Sequence, residues 1–156
     1  MKPIVKALLV AASLVLASSA AMAQSAKDAV SARQADMQLR KFNIGILAAM
    51  AQGKMEYDAK KASAAANNLK ILATMNGGAM WAPGTGMDNA ELATMTSAKP
   101  EIWSTYPAIA EKGKAYVEAV TAMAEVAGDG LDAVKANLGK LGASCGGCHK
   151  SFRAKR

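Results

Sequence analysis

Residues 131–152 read LDAVKANLGKLGASCGGCHKSF, and this stretch near the C-terminus decides the fold class and the chemistry together. Its apolar and cysteine side chains recur at spacings of three and four, as they do on one face of an α-helix. The members of this face are Leu131, Val134, Leu138, Leu141, Cys145, Cys148 and Phe152. The stretch therefore predicts a helix over residues 131–152 that carries both cysteines on its inner stripe.

The pentapeptide Cys145-Gly146-Gly147-Cys148-His149 has the C-x-x-C-H pattern of c-type haem attachment. In such a site, two thiols form thioethers with the two vinyl groups of one haem, and the following imidazole binds the iron. Positions three and four apart are neighbours on a helix, so both sulfurs and the imidazole can face the same porphyrin. The motif predicts one haem c per chain, with His149 as the axial iron ligand.

A redox dithiol, a zinc site and chance each account for this motif less well. A redox dithiol also uses C-x-x-C, but usually after a strand at the start of a helix, whereas this pair lies near the end of a helical chain. A zinc site usually takes four ligands from Cys and His, and the chain has only two Cys and one His. Chance alone would not explain why the same chain also begins with the pattern of an export signal.

Residues 1–23 have the pattern of a cleavable secretory signal peptide. Lys2 and Lys6 form a positive start, residues 7–17 are apolar, and Ala21-Met22-Ala23 is a small-x-small cleavage site. A transmembrane anchor is the alternative, but a span needs about 20 apolar residues and this run is shorter. We expect export to the periplasm, where bacterial haem attachment occurs, and a mature domain over residues 24–156 with no membrane span.

The mature chain predicts four amphipathic helices, because Ala, Leu, Met, Lys and Glu dominate it and β-branched runs are absent. Asp58 is the expected N-cap of the second helix, and Pro107 suits the first turn of the third, with Tyr106 on its inner face. The predicted ranges are 27–52, 58–75, 101 or 104 to 127, and 131–152. Helices of this length predict an all-α, antiparallel up-down-up-down bundle, with residues 76–100 as a long loop.

The charge balance and the single histidine exclude several functions. Lys2 and Lys6 leave with the signal, so the formal net charge falls from +7 to +5. The lysines are scattered along helices and few aromatic residues accompany them, so we expect no nucleic-acid partner. Such a charge can steer acidic partners, although it is also typical of a solvated charged face. We also expect no enzyme, because the chain lacks a second histidine, a nucleophile paired with a base, and a phosphate-binding loop.

The sequence resembles the class II cytochromes c, which include cytochrome c′ and its low-spin relatives. The resemblance covers nearly the whole mature chain and rests on three segments besides the haem motif. These are Arg33-Gln34-Ala35-Asp36-Met37, Ala98-Lys99-Pro100-Glu101-Ile102-Trp103 and Lys150-Ser151-Phe152-Arg153. The resemblance implies a left-handed four-helix bundle that often forms a homodimer through its first two helices.

The resemblance also implies roles for individual residues. Arg33 and Gln34 match positions that contact the haem, with Arg33 near a propionate. Met37 matches the position that faces the iron from the distal side. Arg153 matches a basic residue close to the proximal histidine, and Glu101 matches a position at the haem edge. Taken alone, Arg33 is more typical of a surface residue and Met37 of a core filler. Arg153 also suits a cation that stabilises a helix C-terminus.

Two functions follow from this site, and the sixth iron ligand distinguishes them. The first is one-electron transfer to redox partner proteins, which we favour because it fits either ligation state. The second is binding of nitric oxide or carbon monoxide by a high-spin, five-coordinate iron. Met37 is the candidate sixth ligand, because a thioether there would give low-spin iron. Met80 and Met87 lie in the long loop and offer two further thioethers.

Overall fold

The computed structural model describes residues 25–155 in full and the backbone of residues 3–24. The predicted signal peptide, residues 1–23, therefore lies outside the fully described residues, and its cleavage stays a prediction. The α-helices are α1 (Pro3–Ala51), α2 (Ala59–Thr74), α3 (Glu101–Ser104), α4 (Ala108–Val126) and α5 (Leu131–Phe152). Within the described part of the chain, no helix is long and apolar enough to cross a membrane.

Two of the predicted helices have the expected ends. The structure begins α5 at Leu131 and ends it at Phe152, as the periodicity predicts. Asp58 is the N-cap of α2, and its carboxylate accepts a hydrogen bond of 2.9 Å from the backbone N–H of Lys61. This bond satisfies one of the amide groups that a helix N-terminus leaves without an intrahelical partner.

The prediction of one continuous third helix is wrong. The structure splits it into the short α3 and the long α4, and Pro107 is the N-cap residue of α4 instead of a first-turn residue. Proline has no N–H and its ring collides with the carbonyl four residues earlier, so a helix begun at Glu101 cannot continue through it. Tyr106, predicted to face inward, is 72% exposed because it lies in this break.

The four long helices form the predicted four-helix bundle. Helix α1 packs against α2 and α5, and α4 packs against the same two helices. The bundle core takes three alanines and Leu69 from α2, and both small and large side chains from the other helices. Its fully buried members include Leu47, Met50, Ala62, Ala66, Leu69, Val120, Met123, Val134 and Leu141.

The long loop between α2 and α3 is ordered by backbone bonds to the end of α5. A 3-10 turn covers Gly78–Trp81, and its carbonyl at Trp81 accepts a 2.8 Å hydrogen bond from the Trp103 indole. Further along, the Lys99 N–H donates to the Phe152 carbonyl at 3.0 Å, and Ala98 forms an isolated antiparallel bridge with Arg153. The loop therefore fixes the chain directly after the haem motif.

Candidate haem-attachment site

The three residues of the motif share the last two turns of α5. Cys145 and Cys148 are partly buried and both thiols are free, while His149 is exposed. Two half-buried sulfurs one helical turn apart, followed by an accessible imidazole, form a row of soft ligands at the boundary between core and solvent. No cluster of three or more His, Cys, Asp or Glu side chains placed to hold a metal ion occurs within the described residues.

Partial burial shifts the pKa values of the two cysteines and of His149. Burial raises the pKa of the Cys145 thiol, an effect that Ser144 and the positive charge of Arg40 partly offset. Burial also raises the pKa of Cys148. Desolvation of the ring on its protein side, and secondly the charge of Arg153, lowers the pKa of His149. At neutral pH the cysteines are therefore thiols and the histidine is a neutral imidazole, which is the form that binds a metal.

The segment after the motif is anchored firmly. The Arg153 N–H donates to the His149 carbonyl at 3.1 Å, which closes the end of α5. Phe152 is 6% exposed and fills the core beneath this last turn. Arg153 is itself exposed, and its charge acts on His149. Arg153 is therefore close enough for its charge to act on His149, while its role beside a haem stays a prediction.

Arg33 is buried on α1 and is held by the long loop. Its two terminal nitrogens donate four hydrogen bonds of 2.9 to 3.1 Å, and its guanidinium carbon lies 4.6 Å from the centroid of the Trp81 ring. The acceptors are the carbonyls of Met80 and Thr85 and the hydroxyls of Thr85 and Thr96. Arginine has five N–H donors, so only the Nε–H remains for a further acceptor such as a propionate.

The other residues suggested by the resemblance lie near the same end of the bundle. Gln34 donates its side-chain amide to the Met95 carbonyl of the long loop. Met37 is 37% exposed, so its thioether is not committed to the core. Glu101 pairs with Lys99 at 3.5 Å, while its second carboxylate oxygen is buried without a hydrogen-bond partner. The propionate, iron and haem-edge roles of these residues stay predictions.

A buried polar cluster of Asp36, Arg40 and Tyr116 was not predicted from the sequence. Arg40 Nε donates to Asp36 Oδ2 at 2.9 Å, and the Arg40 guanidinium carbon lies 4.9 Å from the centroid of the Tyr116 ring. Burial raises the pKa of Tyr116, although the neighbouring Arg40 charge acts in the opposite direction. The acid-to-arginine spacing of four was a usable signal, because such pairs meet on a helix surface.

The residues present fit a covalently held haem. The two free thiols have the spacing that two thioethers to one haem need, and the imidazole follows directly after them. Inside the bundle, Asp36 Oδ1 and the Tyr116 hydroxyl are buried with no hydrogen-bond partner. Buried polar groups are normally paired, so these two atoms mark an interior that is incomplete as protein alone.

Comparison with known proteins identifies the family. The family model described as Cytochrome C′ matches residues 28–153, which is most of the chain. The chain belongs to the cytochrome c′ family. It is 40% identical over 124 residues to the cytochrome c′ of Cereibacter sphaeroides, covering 80% of this chain and 81% of that protein. It is also 33% identical over 123 residues to cytochrome c-554 of the same species, covering 79% and 90% respectively.

Solved cytochrome c′ structures share the fold. The protein from Rhodobacter spheriodes has a TM-score of 0.80 at 40% identity, covering 84% of this chain and 98% of its own. A cytochrome c′ with ligand-controlled dimer dissociation has a TM-score of 0.73 at 31% identity, covering 83% and 97%. A nitric oxide complex of a mutant cytochrome c prime from Alcaligenes xylosoxidans has 0.72 at 32%, covering 84% and 97%. Proteins of this family carry haem c, which is thus the cofactor of this chain.

Proposed function

We propose that this cytochrome c′ family member is an exported, periplasmic one-electron carrier whose haem is attached at Cys145 and Cys148 and ligated by His149. The observation that carries the proposal is the placement of two free thiols and an exposed imidazole within two turns of α5. Haem c supplies a one-electron iron couple and a sixth coordination position when it is bound. The role is carriage of an electron and not catalysis.

The attachment needs only the side chains present and the two vinyl groups. Each thiol adds across one vinyl double bond, so that sulfur bonds to one carbon and the thiol hydrogen is taken up by the other. No atom is lost, and no oxidant is required. His149 has no competing role in the core, since its side chain reaches solvent and the ring stays neutral beside Arg153. Export of the mature domain, residues 24–156, would bring these thiols to the compartment where attachment occurs.

Binding of nitric oxide or carbon monoxide is the second candidate, and it is supported by the relative from Alcaligenes xylosoxidans whose structure holds nitric oxide. The exposure of Met37 is compatible with both functions, because its side chain is free to bind the iron or to leave it open. If Met37 binds, the iron is low-spin and six-coordinate, and electron transfer is the function. If it does not, the iron is high-spin and small gases can enter.

Acid–acetone extraction tests the attachment. We expect the native protein to keep one haem per chain in the protein fraction, because thioethers survive the treatment. Cys145→Ala and Cys148→Ala should each reduce retention, and the double variant should abolish it. Ser151→Ala is the matched control, since it changes an exposed hydroxyl on α5 that forms no bond to haem. Haem that moves into the organic layer from the native protein would refute the covalent assignment.

Absorption spectra of two methionine variants test the ligand. Met37 and Met87 are both 37% exposed, so Met87→Ala is a control of equal exposure at a different place. If Met37 is the ligand, Met37→Ala converts a low-spin spectrum to a high-spin one and accelerates carbon monoxide binding, while Met87→Ala changes neither. If the wild type is already high-spin and Met37→Ala leaves its spectrum unchanged, Met37 is not a ligand and the gas-binding function is favoured.

We further propose a homodimer through the outer faces of α1 and α2. These faces expose large apolar side chains, with Leu39 at 53% and Phe42 at 67% on α1 and Ile71 at 65% and Met75 at 47% on α2. A patch of this kind is more apolar than a monomer surface usually is. The relative with ligand-controlled dimer dissociation supports the formation of a dimer.

A further inference from the structure

Arg40 holds a mostly buried positive charge on α1, one helical turn after Met37, the candidate sixth iron ligand. Its side chain is 20% exposed and that of its partner Asp36 only 4%. Three helices hold the guanidinium: Asp36 on α1 accepts from Nε at 2.9 Å, the Leu72 carbonyl on α2 accepts from a terminal nitrogen at 2.6 Å, and Tyr116 on α4 stacks on it at 4.9 Å. The cation cannot turn towards solvent without breaking these contacts.

This cation acts on the fourth helix as well. The Arg40 charge favours the thiolate of Cys145 on α5, so that the pKa of Cys145 is raised less than burial alone would raise it. The same positive charge acts on Tyr116 of α4, whose ring stacks on the guanidinium. Arg40 is therefore within electrostatic range of a haem-attachment position from inside the bundle, whereas the lysines of the surface are screened by water.

A structural role alone does not account for the cluster. Replacing a buried ion pair with apolar residues is often neutral or stabilising, so stability is a weak reason to keep one. Bridging α1, α2 and α4 explains the Leu72 and Tyr116 contacts. It leaves Asp36 Oδ1 buried with no hydrogen-bond partner, a cost that bridging does not explain.

We propose that the charges of Arg40 and Asp36 set the reduction potential of the haem iron. Arg40 provides a fixed interior positive charge that favours the ferrous state, and Asp36 partly cancels it. The inference rests on the proposed attachment at Cys145 and Cys148. It follows that removing the carboxylate charge stabilises reduced iron, and that removing the guanidinium as well reverses the effect.

Spectroelectrochemical titration of the haem-loaded protein at one fixed pH tests the proposal. Asp36→Asn keeps the shape of the side chain, and Arg40 stays charged at any accessible pH. We expect this variant to favour the reduced form by about tenfold, which is about 59 mV for a one-electron couple. Adding Arg40→Met to it should remove the whole increase. Asp132→Asn removes the same charge from a side chain that is 100% exposed, and should shift the equilibrium less than about twofold.

The outcomes separate this inference from the proposed function. An Asp36→Asn shift no larger than that of Asp132→Asn, or a shift that survives the Arg40→Met addition, overturns it. If Asp36→Asn lowers the melting temperature but leaves the reduction potential unchanged, the proposal is overturned as well, because the two residues then contribute only to packing. If Asp36→Asn does not fold, the double variant decides: its potential should lie below that of the wild type, and an unchanged potential is a negative result. Loss of covalent haem in the wild type contradicts the proposed function instead.

Discussion

Replacing Arg33 with methionine should destabilise the protein strongly, because Arg33 joins α1 to the long loop. The substitution keeps a long, flexible, apolar side chain but removes four hydrogen bonds and the stacked cation over Trp81. Hydroxyls of Thr85 and Thr96 can turn to other partners. The carbonyls of Met80 and Thr85 cannot, and they would be left in a largely buried place without a donor.

The magnitude follows from counting these groups. An unpaired buried acceptor costs about 1–3 kcal/mol, so two carbonyls cost about 3–4 kcal/mol together. Loss of the stacked cation adds about 1 kcal/mol. Burial of Arg33 lowers its pKa, which shows that the charge is itself desolvated, and relief of that cost offsets part of the loss. The net expectation is a decrease of about 3 kcal/mol in the free energy of unfolding, or about 10 °C in Tm for a domain of this size.

Thermal and urea unfolding of the haem-loaded protein, followed by circular dichroism in the far ultraviolet, measures the effect. Arg33→Lys keeps the charge but has a single donor group, so it should recover at most half of the loss. Lys41→Met is the control, because it removes a cation from an exposed position of the same helix and should change stability by less than about 0.5 kcal/mol. A loss below about 1 kcal/mol for Arg33→Met would refute the reasoning.

Three further variants test other features. Asp58→Ala removes the N-cap of α2 and should lower Tm at neutral pH, whereas Asp58→Asn keeps a capping oxygen and should preserve Tm. The backbone N–H of Lys61 lowers the pKa of Asp58. The stabilisation by Asp58 is therefore present above the ordinary carboxyl pKa and is lost as the pH falls through the lowered pKa. Gly86→Ala would place a methyl carbon 2.7 Å from the Trp103 ring and should cost about 2 kcal/mol by urea titration, whereas Gly113→Ala, which meets nothing within 4 Å, should stabilise by about 0.5–1 kcal/mol. Phe42→Glu should yield monomers by light scattering if the α1–α2 faces form the dimer, while Tyr106→Glu, at 72% exposure, should leave the mass unchanged.

Features with a local cause could be predicted from the sequence. The limits of α5 follow from its spacing and from Gly130 before it, and the N-cap of α2 follows from one carboxylate and one amide three residues on. The haem motif is local as well, since both cysteines and the histidine lie within one pentapeptide. The bundle then follows from four such helices, because each has one apolar face to bury.

Features that depend on distant partners could not be predicted. Arg33 forms its bonds with residues 47 to 63 positions away, and no periodicity reports on a loop that folds back over a helix. The break before α4 was visible in the sequence as Pro107. Its position was assigned wrongly because a proline suits a first turn as well as it ends the preceding helix, and only packing decides between the two.

Met37 illustrates how the distant contacts bear on function. It lies four residues after Arg33 and three before Arg40 on α1. Arg33 ties the helix to the long loop, and Arg40 ties it to α2 through the Leu72 carbonyl. The backbone around Met37 is therefore fixed on both sides, while its side chain stays 37% exposed. Under the proposed ligation, binding of Met37 to the iron would require only a change of its side-chain rotamer and no movement of α1, so a change between electron carriage and gas binding would need no change of fold.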